Sequence, residues 1–508
     1  MRMIVLGILM MMGASVSASE NNIFNYVITE TGRHSSVDPL DADQTQNLPV
    51  ARMLYATPVE LDSNDKLKSS VLSSFSYDIN SRIMSWKLKS GLKFSDKSPL
   101  TTRDLELALT RMIKARPSFP VIDAIEGVSE WLKLEHPLES RPSGIVTTSD
   151  EVRVHFKSDV SHPLVRFSLE LFSIIPEKCV NKKTGDLSCK ALPSSGAYVI
   201  ESDDGKSVTF KRNLETDSEL KGAPLSLRFL YATPQEFSSA ITSTDQNSVV
   251  TGSEVQYSAS ALAELGKIGT LAALPAARFA ALQINPSNKP FDNKSCRLFV
   301  AQKFRETFKT LGAGHVSSES SIFTKLLPGY MKETELAKQL GKPNDKDCEK
   351  ALHLTEITWG YVSSEKQTLF VAALRQTLES LKIPNKSVEY GSRKEMADAF
   401  SDGKIAFMSA SSGFWAFDPS GDLQMLFTPN LHKQLRFLSA DTELQTLIAN
   451  AKKLKAADSF KAVNSYLYGT GLFNVYAHTR RFFWSNNPKF QKSIQFGNTA
   501  PSPWQVFE

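Results

Sequence analysis

The sequence predicts a mixed α/β protein built from more than one domain, and three observations predict it. The chain has 508 residues, well above the ~250–300 residues at which a single hydrophobic core stops growing. Hydrophobic residues make up 41% of it and glycine, at 25 residues, adds about 5%, which is the ordinary share for a globular protein. Segments with the two-residue repeat of strands alternate with segments that have the spacing of helices.

Alternating apolar and polar residues predict strands at residues 75–79 and 84–88, and short apolar segments between turns or helices predict the others. The clearest segments are residues 75–79, 84–88, 198–200, 207–210, 279–283 and 404–408. The third and fourth of these flank an Asp204-Gly205 pair, which is typical of a hairpin turn.

Apolar residues at helical spacing predict four amphipathic helices. The first contains Leu105 and Met112, and Thr101 with Asp104 forms a capping box at its start. The others follow apolar stripes within residues 298–311, 371–381 and 444–454. We interpret all four stripes as core packing.

The first residues predict export. Arg2 precedes an apolar run from Met3 to Met12, and Val16-Ser17-Ala18 has the small residues of a cleavage site. A membrane span needs about 20 apolar residues, and this run is too short. We therefore expect residues 1–18 to be a signal peptide. Because no cysteine lies at the cleavage point, we expect a periplasmic protein without a lipid anchor.

Four cysteines form an even set in a chain bound for an oxidising compartment, so two disulfides are expected. Cys179 and Cys189 bracket a short polar turn and form the first pair that we favour, with Cys296 and Cys348 as the second. The sequence leaves open the connectivity, and also whether some cysteines stay as buried thiols. A zinc site is not expected, since no close C-x-x-C spacing occurs.

Charge and motifs give no support for nucleic-acid binding or catalysis. The formal charge is +5, from 59 basic and 54 acidic residues that are interspersed along the chain. The sequence contains no G-x-S-x-G, H-E-x-x-H or Walker motif. The eight histidines never occur at i, i+4 spacing. We therefore expect no nucleic-acid partner, no cofactor, no metal and no enzymatic activity.

Residues 86–111, WKLKSGLKFSDKSPLTTRDLELALTR, resemble the hallmark of the family 5 extracellular solute-binding proteins, which include the oligopeptide- and dipeptide-binding proteins of ABC importers. In that family a strand ending in L-R-x-G-V-K-F is followed by D-G-x-P-L-T-A-x-D-V and a helix with S-x-x-R. Gly91, Pro99 and Arg111 match, whereas Lys97 stands where the family has glycine. A positive φ at that lysine would be strained.

Further segments resemble motifs of the same family in the same order. They are residues 37–55 with Asp38-Pro39, residues 192–198 with LPSSGAY, residues 280–297 and residues 415–419 with WAFDP. The resemblance covers nearly the whole mature chain. It gives Asp104 and Arg297 positions in these motifs, and we expect both to be structural.

The resemblance implies a periplasmic-binding-protein-like α/β fold with two lobes around a ligand cleft and an extra sub-domain inserted in the first lobe. Residues 19–57, 165–274 and 475–508 would form lobe I, and residues 58–164 the inserted sub-domain. Residues 275–474 would form lobe II.

The resemblance also implies the ligand-binding residues. Asp43, Gln44 and Thr45 would line one face of the cleft, and Trp415 and Asp418 the other. In the family, the aspartate of the W-x-x-D segment binds the α-ammonium group of a peptide through a charge-assisted hydrogen bond. The bound peptide lies beside the protein backbone as an added strand.

The function that the resemblance implies is capture of short peptides by a monomer and their delivery to an ABC transporter permease at the inner membrane. Three alternatives stay open. The first is that the same fold binds a metal chelate, an opine or a sugar. The second is a scaffold or sensor that has this fold but no transport role, and the third is an exported hydrolase.

Overall fold

The computed structural model describes most of the chain after the predicted signal peptide, residues 1–18, which lies outside the described residues. The described residues are 23–28, 36–41, 47–62, 66–117, 119, 121–160, 162–216, 224–231, 248–253, 259–273, 278–312, 316–325, 327–340, 345–366, 368–414, 419–428 and 432–486. None of the helices in these ranges is long and apolar enough to cross a membrane.

Nineteen strands occur in the described ranges. They are β1 Ile23–Ile28, β2 Glu60–Leu61, β3 Leu67–Lys68, β4 Leu72–Asp78, β5 Ile83–Leu88, β6 Ile145–Thr147, β7 Glu151–His155, β8 Tyr198–Asp203, β9 Ser207–Arg212, β10 Ser226–Tyr231, β11 Ser248–Ser253, β12 Thr270–Ala273, β13 Arg278–Ile284, β14 Ser317–Ser318, β15 Ile357–Val362, β16 Asn385–Tyr390, β17 Phe407–Gly413, β18 Phe473–Thr479 and β19 Arg481–Ser485.

Fourteen α-helices lie between these strands in the same ranges. They are α1 Leu48–Leu54, α2 Thr102–Ala115, α3 Val128–Trp131, α4 Pro163–Arg166, α5 Ala259–Ile268, α6 Lys294–Leu311, α7 Glu333–Leu340, α8 Asp345–His353, α9 Leu369–Ser380, α10 Arg393–Ser401, α11 Pro419–Leu426, α12 Arg436–Ser439, α13 Thr442–Leu454 and α14 Ala457–Thr470. Short 3-10 helices span Pro39–Asp41, Pro137–Glu139, Glu170–Phe172, Glu177–Cys179, Ser363–Glu365 and Lys433–Leu435.

The first sheet has the strand order β12-β19-β11-β1-β10-β9-β8. Its central strand β1 pairs in parallel with β10 and β11, and the outer pairs are antiparallel. Tyr26 of β1 faces an apolar cluster that includes Met53 of α1, whereas Val27 faces a second cluster with Trp484. Both faces of this sheet are therefore buried, as expected where parallel strands lie at the centre.

The second sheet has the order β14-β18-β13-β17-β15-β16. The pairs β15–β16 and β15–β17 are parallel, and the others are antiparallel. Along β13, Leu282 packs with Phe304 of α6 on one face, and Phe279 packs with Phe460 of α14 on the other. The two-residue period of β13 thus builds two cores, one on each side of the sheet.

The third sheet is a four-stranded antiparallel one, β4-β5-β7-β6. Helix α2 covers one of its faces, where Trp86 of β5 packs with Leu105 and Met112 in a single apolar cluster. We call this cluster the sub-domain core. The opposite face is polar, since β4 exposes Ser74 and Ser76 there.

The chain crosses between the first two sheets at two places. It leaves the first sheet after β12 and enters the second at β13, and it returns through Arg480, which joins β18 to β19. The division into lobes and sub-domain stays a prediction, and we propose it with one change. The predicted boundary between residues 474 and 475 falls inside β18, which pairs throughout with strands of the second sheet, so the proposed boundary moves to follow Thr479.

Most elements predicted from periodicity are present, with one shifted start. The four helices, the hairpin of β8 and β9, and the capping box of Thr101 and Asp104 are confirmed. The strand expected at residues 404–408 begins only at Phe407. The reason is that the Lys404 N–H donates to the Ala399 carbonyl at 2.9 Å, which uses this residue to close helix α10 rather than to pair in the sheet.

Two further expectations from the sequence are confirmed. Cys179–Cys189 and Cys296–Cys348 both form disulfides. Lys97, which replaces the family's glycine, has φ 68, so a side chain occupies a left-handed position that suits glycine.

Candidate functional site

The five predicted ligand-binding residues lie outside the described residues. Asp43, Gln44 and Thr45 belong to the segment 42–46, and Trp415 and Asp418 belong to the segment 415–418. The residues on both sides of each segment are described. The elements that carry the predicted site can therefore be located.

Asp41 and Asn47 are the described residues on either side of the first segment, and the Asn47 side chain joins them. Its Nδ2 donates to the Asp41 carbonyl at 3.1 Å, and its Oδ1 accepts from the Ser36 N–H at 3.3 Å. Asn47 is only 1% exposed. Because both ends of this amide bind main-chain groups, Asn47 fixes residues 36–41 relative to the start of α1.

Asp38 fixes the same loop to helix α2. Arg111 Nη1 and Nη2 donate to the two carboxylate oxygens of Asp38 at 2.8 and 2.6 Å, and Arg111 Nε donates to the Gly185 carbonyl at 2.8 Å. The Arg111 side chain is 6% exposed and the Asp38 side chain is 20% exposed. This is the bidentate geometry that makes arginine–carboxylate pairs strong and directional. Two segments that resemble the same family thus meet in one ion pair.

A buried tyrosine adds a third attachment to this loop. Tyr55 Oη, just after α1, donates to the Val37 carbonyl at 2.9 Å. Burial and the nearby Asp38 carboxylate raise the pKa of Tyr55 above its ordinary value, so the hydroxyl keeps the proton that it donates.

The LPSSGAY segment holds the end of α1 at close range. The Gly196 N–H donates to the Leu54 carbonyl at 2.8 Å, and the Ala56 N–H donates to Ser195 Oγ at 3.0 Å. A Cβ atom at Gly196 would lie 2.6 Å from the backbone nitrogen of Tyr55. The glycine is therefore required by the approach of two backbones, which is a structural role.

The second segment connects β17 to helix α11. Helix α11 lies between two cores. Leu423, which is fully buried, packs into the cluster on the α14 side of the second sheet. Met425 instead packs against the sub-domain core. Helix α11 therefore contacts both the core of the second sheet and the sub-domain core.

A buried ion pair ties α11 to the first half of the chain. Arg166, the last residue of α4, donates from Nη1 to Asp422 Oδ1 at 2.8 Å. The two side chains are 4% and 1% exposed. No local pattern in the sequence marks Arg166, because its partner lies 256 residues away.

The elements next to both predicted segments contribute to one apolar cluster. Leu40, just before residues 42–46, packs against the sub-domain core, and Met425, in the helix that follows residues 415–418, packs against the same core. The described elements next to the two predicted segments thus share one apolar cluster.

Asp104 and Arg297 have the structural roles expected from the sequence. Asp104 accepts the N–H groups of Thr101 and Glu177 at 2.7 and 2.8 Å, and burial raises the pKa of its carboxyl. Arg297 donates to the carbonyls of Phe291 and Thr470 at 2.7 and 2.9 Å. Both side chains hold main-chain groups in place.

No candidate metal site is found in the described ranges. They contain no group of three or more His, Cys, Asp and Glu side chains that could hold a metal ion. His478 is the most deeply buried histidine there, and its Nε2 lies 2.7 Å from the Ser321 carbonyl. Since a carbonyl only accepts, Nε2 carries a proton, and this ring serves packing.

Comparisons with known proteins agree with this architecture. The model of bacterial extracellular solute-binding proteins, family 5 Middle, matches residues 66–433. No curated protein matches the sequence.

Several solved structures have the same fold. OppA of Haemophilus influenzae in complex with RPPGFSPFR is 16% identical with a TM-score of 0.73, covering 96% of this chain and 98% of that one. AgaA of A. tumefaciens in complex with agropinic acid is 14% identical with a TM-score of 0.72, covering 96% and 98%. NikA of Brucella suis in complex with Fe(III)-EDTA is 13% identical with a TM-score of 0.70, covering 95% and 99%.

These likenesses establish a periplasmic-binding-protein-like α/β fold, as the sequence predicted. The family match spans well over half of the chain and includes β17 and α11, which flank the second predicted segment. The chain therefore belongs to the bacterial extracellular solute-binding proteins of family 5.

Proposed function

We propose that this protein captures short peptides in the periplasm and delivers them to an ABC importer of the inner membrane. Family membership supports the general class, solute binding. The observation that carries a site between the lobes is the convergence of Leu40 and Met425 on the sub-domain core. It supports an arrangement in which residues 42–46 and 415–418 face each other across a cleft.

The proposed contacts follow from what each segment can offer a peptide. Strand β17 leads into residues 415–418, so a peptide can lie beside this segment as an added strand with its backbone groups paired. Trp415 would cover the ligand, and the Asp418 carboxylate would bind its ammonium group. Asp43, Gln44 and Thr45 would contact the ligand from the first lobe.

The proposed transport role needs a partner and a compartment. An ABC transporter permease at the inner membrane would take the ligand from this chain. The predicted signal peptide, residues 1–18, supports a periplasmic location.

A second candidate is the same cleft with a non-peptide ligand. The A. tumefaciens and Brucella suis structures hold agropinic acid and Fe(III)-EDTA, and their TM-scores are close to that of the structure with RPPGFSPFR. Fold similarity at this identity does not choose between the two ligand classes.

The deciding experiment is thermal stabilisation of the mature protein, residues 19–508, by a ligand panel. The panel contains di- to pentapeptides, agropinic acid, Fe(III)-EDTA and simple sugars. A ligand at 100 times its Kd stabilises the folded state by about 2.7 kcal/mol, so a true ligand raises the melting temperature clearly. We expect a peptide to do so.

Asp418→Ala tests the proposed anchor. It should abolish the shift caused by peptides with a free amino terminus, while Asp402→Ala should preserve it. Asp402 is a matched control, because it is an exposed carboxylate of the second lobe that pairs with Lys404 at 2.9 Å. If no peptide shifts the melting temperature but agropinic acid or Fe(III)-EDTA does, the second candidate replaces the first.

A further inference from the structure

A short hairpin, residues 179–189, is closed at its base by a disulfide. The Cys179–Cys189 bond joins residues ten positions apart. Above it, Val180 and Leu187 form a single antiparallel bridge, and most residues between these two are exposed. Because a small isolated hairpin is only marginally stable in water, the tip of this one depends on the disulfide for its position.

The tip of the hairpin binds two cations of helix α2. The carbonyls of Lys183 and Thr184 accept from Lys114 Nζ at 3.0 and 2.7 Å. The Gly185 carbonyl accepts from Arg111 Nε at 2.8 Å. The two cations are three residues apart and therefore lie on one side of the helix. Three consecutive carbonyls of the hairpin thus hold one face of α2.

Arg111 connects the hairpin tip to Asp38. Its Nη1 and Nη2 donate to the two carboxylate oxygens at 2.8 and 2.6 Å. Because the guanidinium is planar and rigid, the hydrogen bond at Nε fixes the direction of these two donors. Asp38 Oδ1 in turn accepts the Leu40 N–H at 2.9 Å, and the Asp38 carbonyl accepts the Asp41 N–H at 3.0 Å. One chain of contacts therefore runs from the disulfide to residues 36–41.

We propose that the Cys179–Cys189 disulfide is a redox-sensitive switch that sets the order of residues 36–41 through Arg111. In the reduced chain the hairpin tip is no longer constrained, and the guanidinium loses the acceptor that aligns it with Asp38. The segment keeps its other contacts, but its amides open more often. It is then fully ordered only in an oxidising compartment, which agrees with the predicted export.

The switching step is a thiol–disulfide exchange with a dithiol. One thiolate of the dithiol attacks the Cys189 sulfur and forms a mixed disulfide, and Cys179 leaves as a thiolate. The second thiol of the reagent then displaces Cys189. The protein gains two electrons and two protons and ends with two thiols, and the dithiol becomes a disulfide.

The burial of the four cysteines makes this step selective. Cys189 is half-buried between the exposed Ser188 and Lys190, so a reductant can approach it. Cys296 and Cys348, which form the second disulfide, are 1% and 2% exposed. The hairpin disulfide should therefore be reduced first, since exchange requires access to a sulfur atom.

Hydrogen–deuterium exchange of the mature protein, followed by mass spectrometry, tests the switch at the amides of residues 38–41. Cys179→Ser/Cys189→Ser should exchange there about 10-fold faster than the wild type, because the alignment of a hydrogen-bonded charge pair is lost. Cys296→Ser/Cys348→Ser is the matched control. It removes the other disulfide and should leave exchange at these residues unchanged.

Arg111→Met tests the route from the disulfide to the segment. It should also accelerate exchange of residues 38–41, and adding Cys179→Ser/Cys189→Ser should accelerate it no further, because both changes break the same chain of contacts. Dithiothreitol should accelerate exchange at these residues in the wild type and reoxidation should reverse the effect. In the variant with the two serines, dithiothreitol should change nothing there.

Three results would overturn the switch. One is that Cys179→Ser/Cys189→Ser, shown to be folded by circular dichroism, exchanges residues 38–41 at the wild-type rate. Another is that its effect adds fully to that of Arg111→Met, because the hairpin would then act by a different route. The third is that alkylation of protein treated with dithiothreitol labels the second disulfide before the hairpin disulfide.

Discussion

The ion pair between Arg111 and Asp38 should be essential for the stability of the first lobe, and Arg111→Met is the change that tests this. Methionine keeps an unbranched apolar chain at the position but removes every donor. Asp38 then loses both hydrogen bonds from the guanidinium, and the Gly185 carbonyl loses a third. Residues 36–41 lose their ion pair with α2 and keep only the hydrogen bond from Arg116 to the Leu40 carbonyl at 3.1 Å next to the end of this helix.

The magnitude follows from the burial of the two side chains. Removing one partner of a buried ion pair costs 3–5 kcal/mol in general. Asp38 keeps 20% of its side chain exposed, so part of its charge can rehydrate, and we expect the lower end, about 3 kcal/mol. For a cooperative unit of roughly 300 residues, an unfolding entropy of about 2.1 cal/mol/K per residue converts this to a fall in Tm of about 5 °C.

Differential scanning calorimetry measures this shift, with Arg103→Met as the matched control. Arg103 lies on the same helix, but its side chain is 57% exposed and pairs with Glu106 at 3.2 Å. An exposed pair of this kind contributes little, so the control should melt within about 1 °C of the wild type. If Arg111→Met also melts within that range, the pair does not hold the loop and the reasoning is refuted.

Two further predictions concern backbone strain and pH. Lys97→Gly should raise the free energy of unfolding in urea by roughly 0.5–1 kcal/mol, because glycine adopts the φ of 68 without strain. Lys93→Gly is the control and should lower this free energy, because Lys93 has no positive φ. A lower free energy of unfolding in both variants would contradict the argument. Burial lowers the pKa of His478 more than the Ser321 carbonyl and Glu319 raise it. The unfolded chain therefore binds the proton more readily, and stability should fall as pH drops from 7 to 5.5 through the ordinary pKa near 6.5. His478→Gln should make that pH dependence shallower in urea titrations, and an unchanged slope would show that other groups cause it.

The local elements could be predicted from the sequence because their causes are local. Helix α2 is present where Leu105 and Met112 recur at helical spacing, and it begins at the predicted capping box. The hairpin of β8 and β9 forms around Asp204-Gly205. Where local reasoning was wrong by a few residues, as at Lys404, a helix end competed for the same N–H group.

The candidate site could be predicted only in part, because its supports are distant in sequence. The order of motifs placed two segments, residues 42–46 and 415–418, and the fold brings their flanking elements to one core. The side chains that hold these flanks, Asn47, Arg166 and Asp422, carry no local signal strong enough to single them out. Their roles arise from burial and from partners on other elements.

By itself, the sequence determined the class of protein, since ordered motifs and hydrophobic periodicity depend only on residue identity and spacing. It also determined that Lys97 would be strained if the turn kept a glycine geometry. Only the tertiary structure decided that Asp38 pairs with Arg111 across 73 positions and Arg166 with Asp422 across 256. The physical reason is that a charged side chain can be buried only next to a group of opposite charge. Packing between elements distant in the sequence determines which two side chains become neighbours.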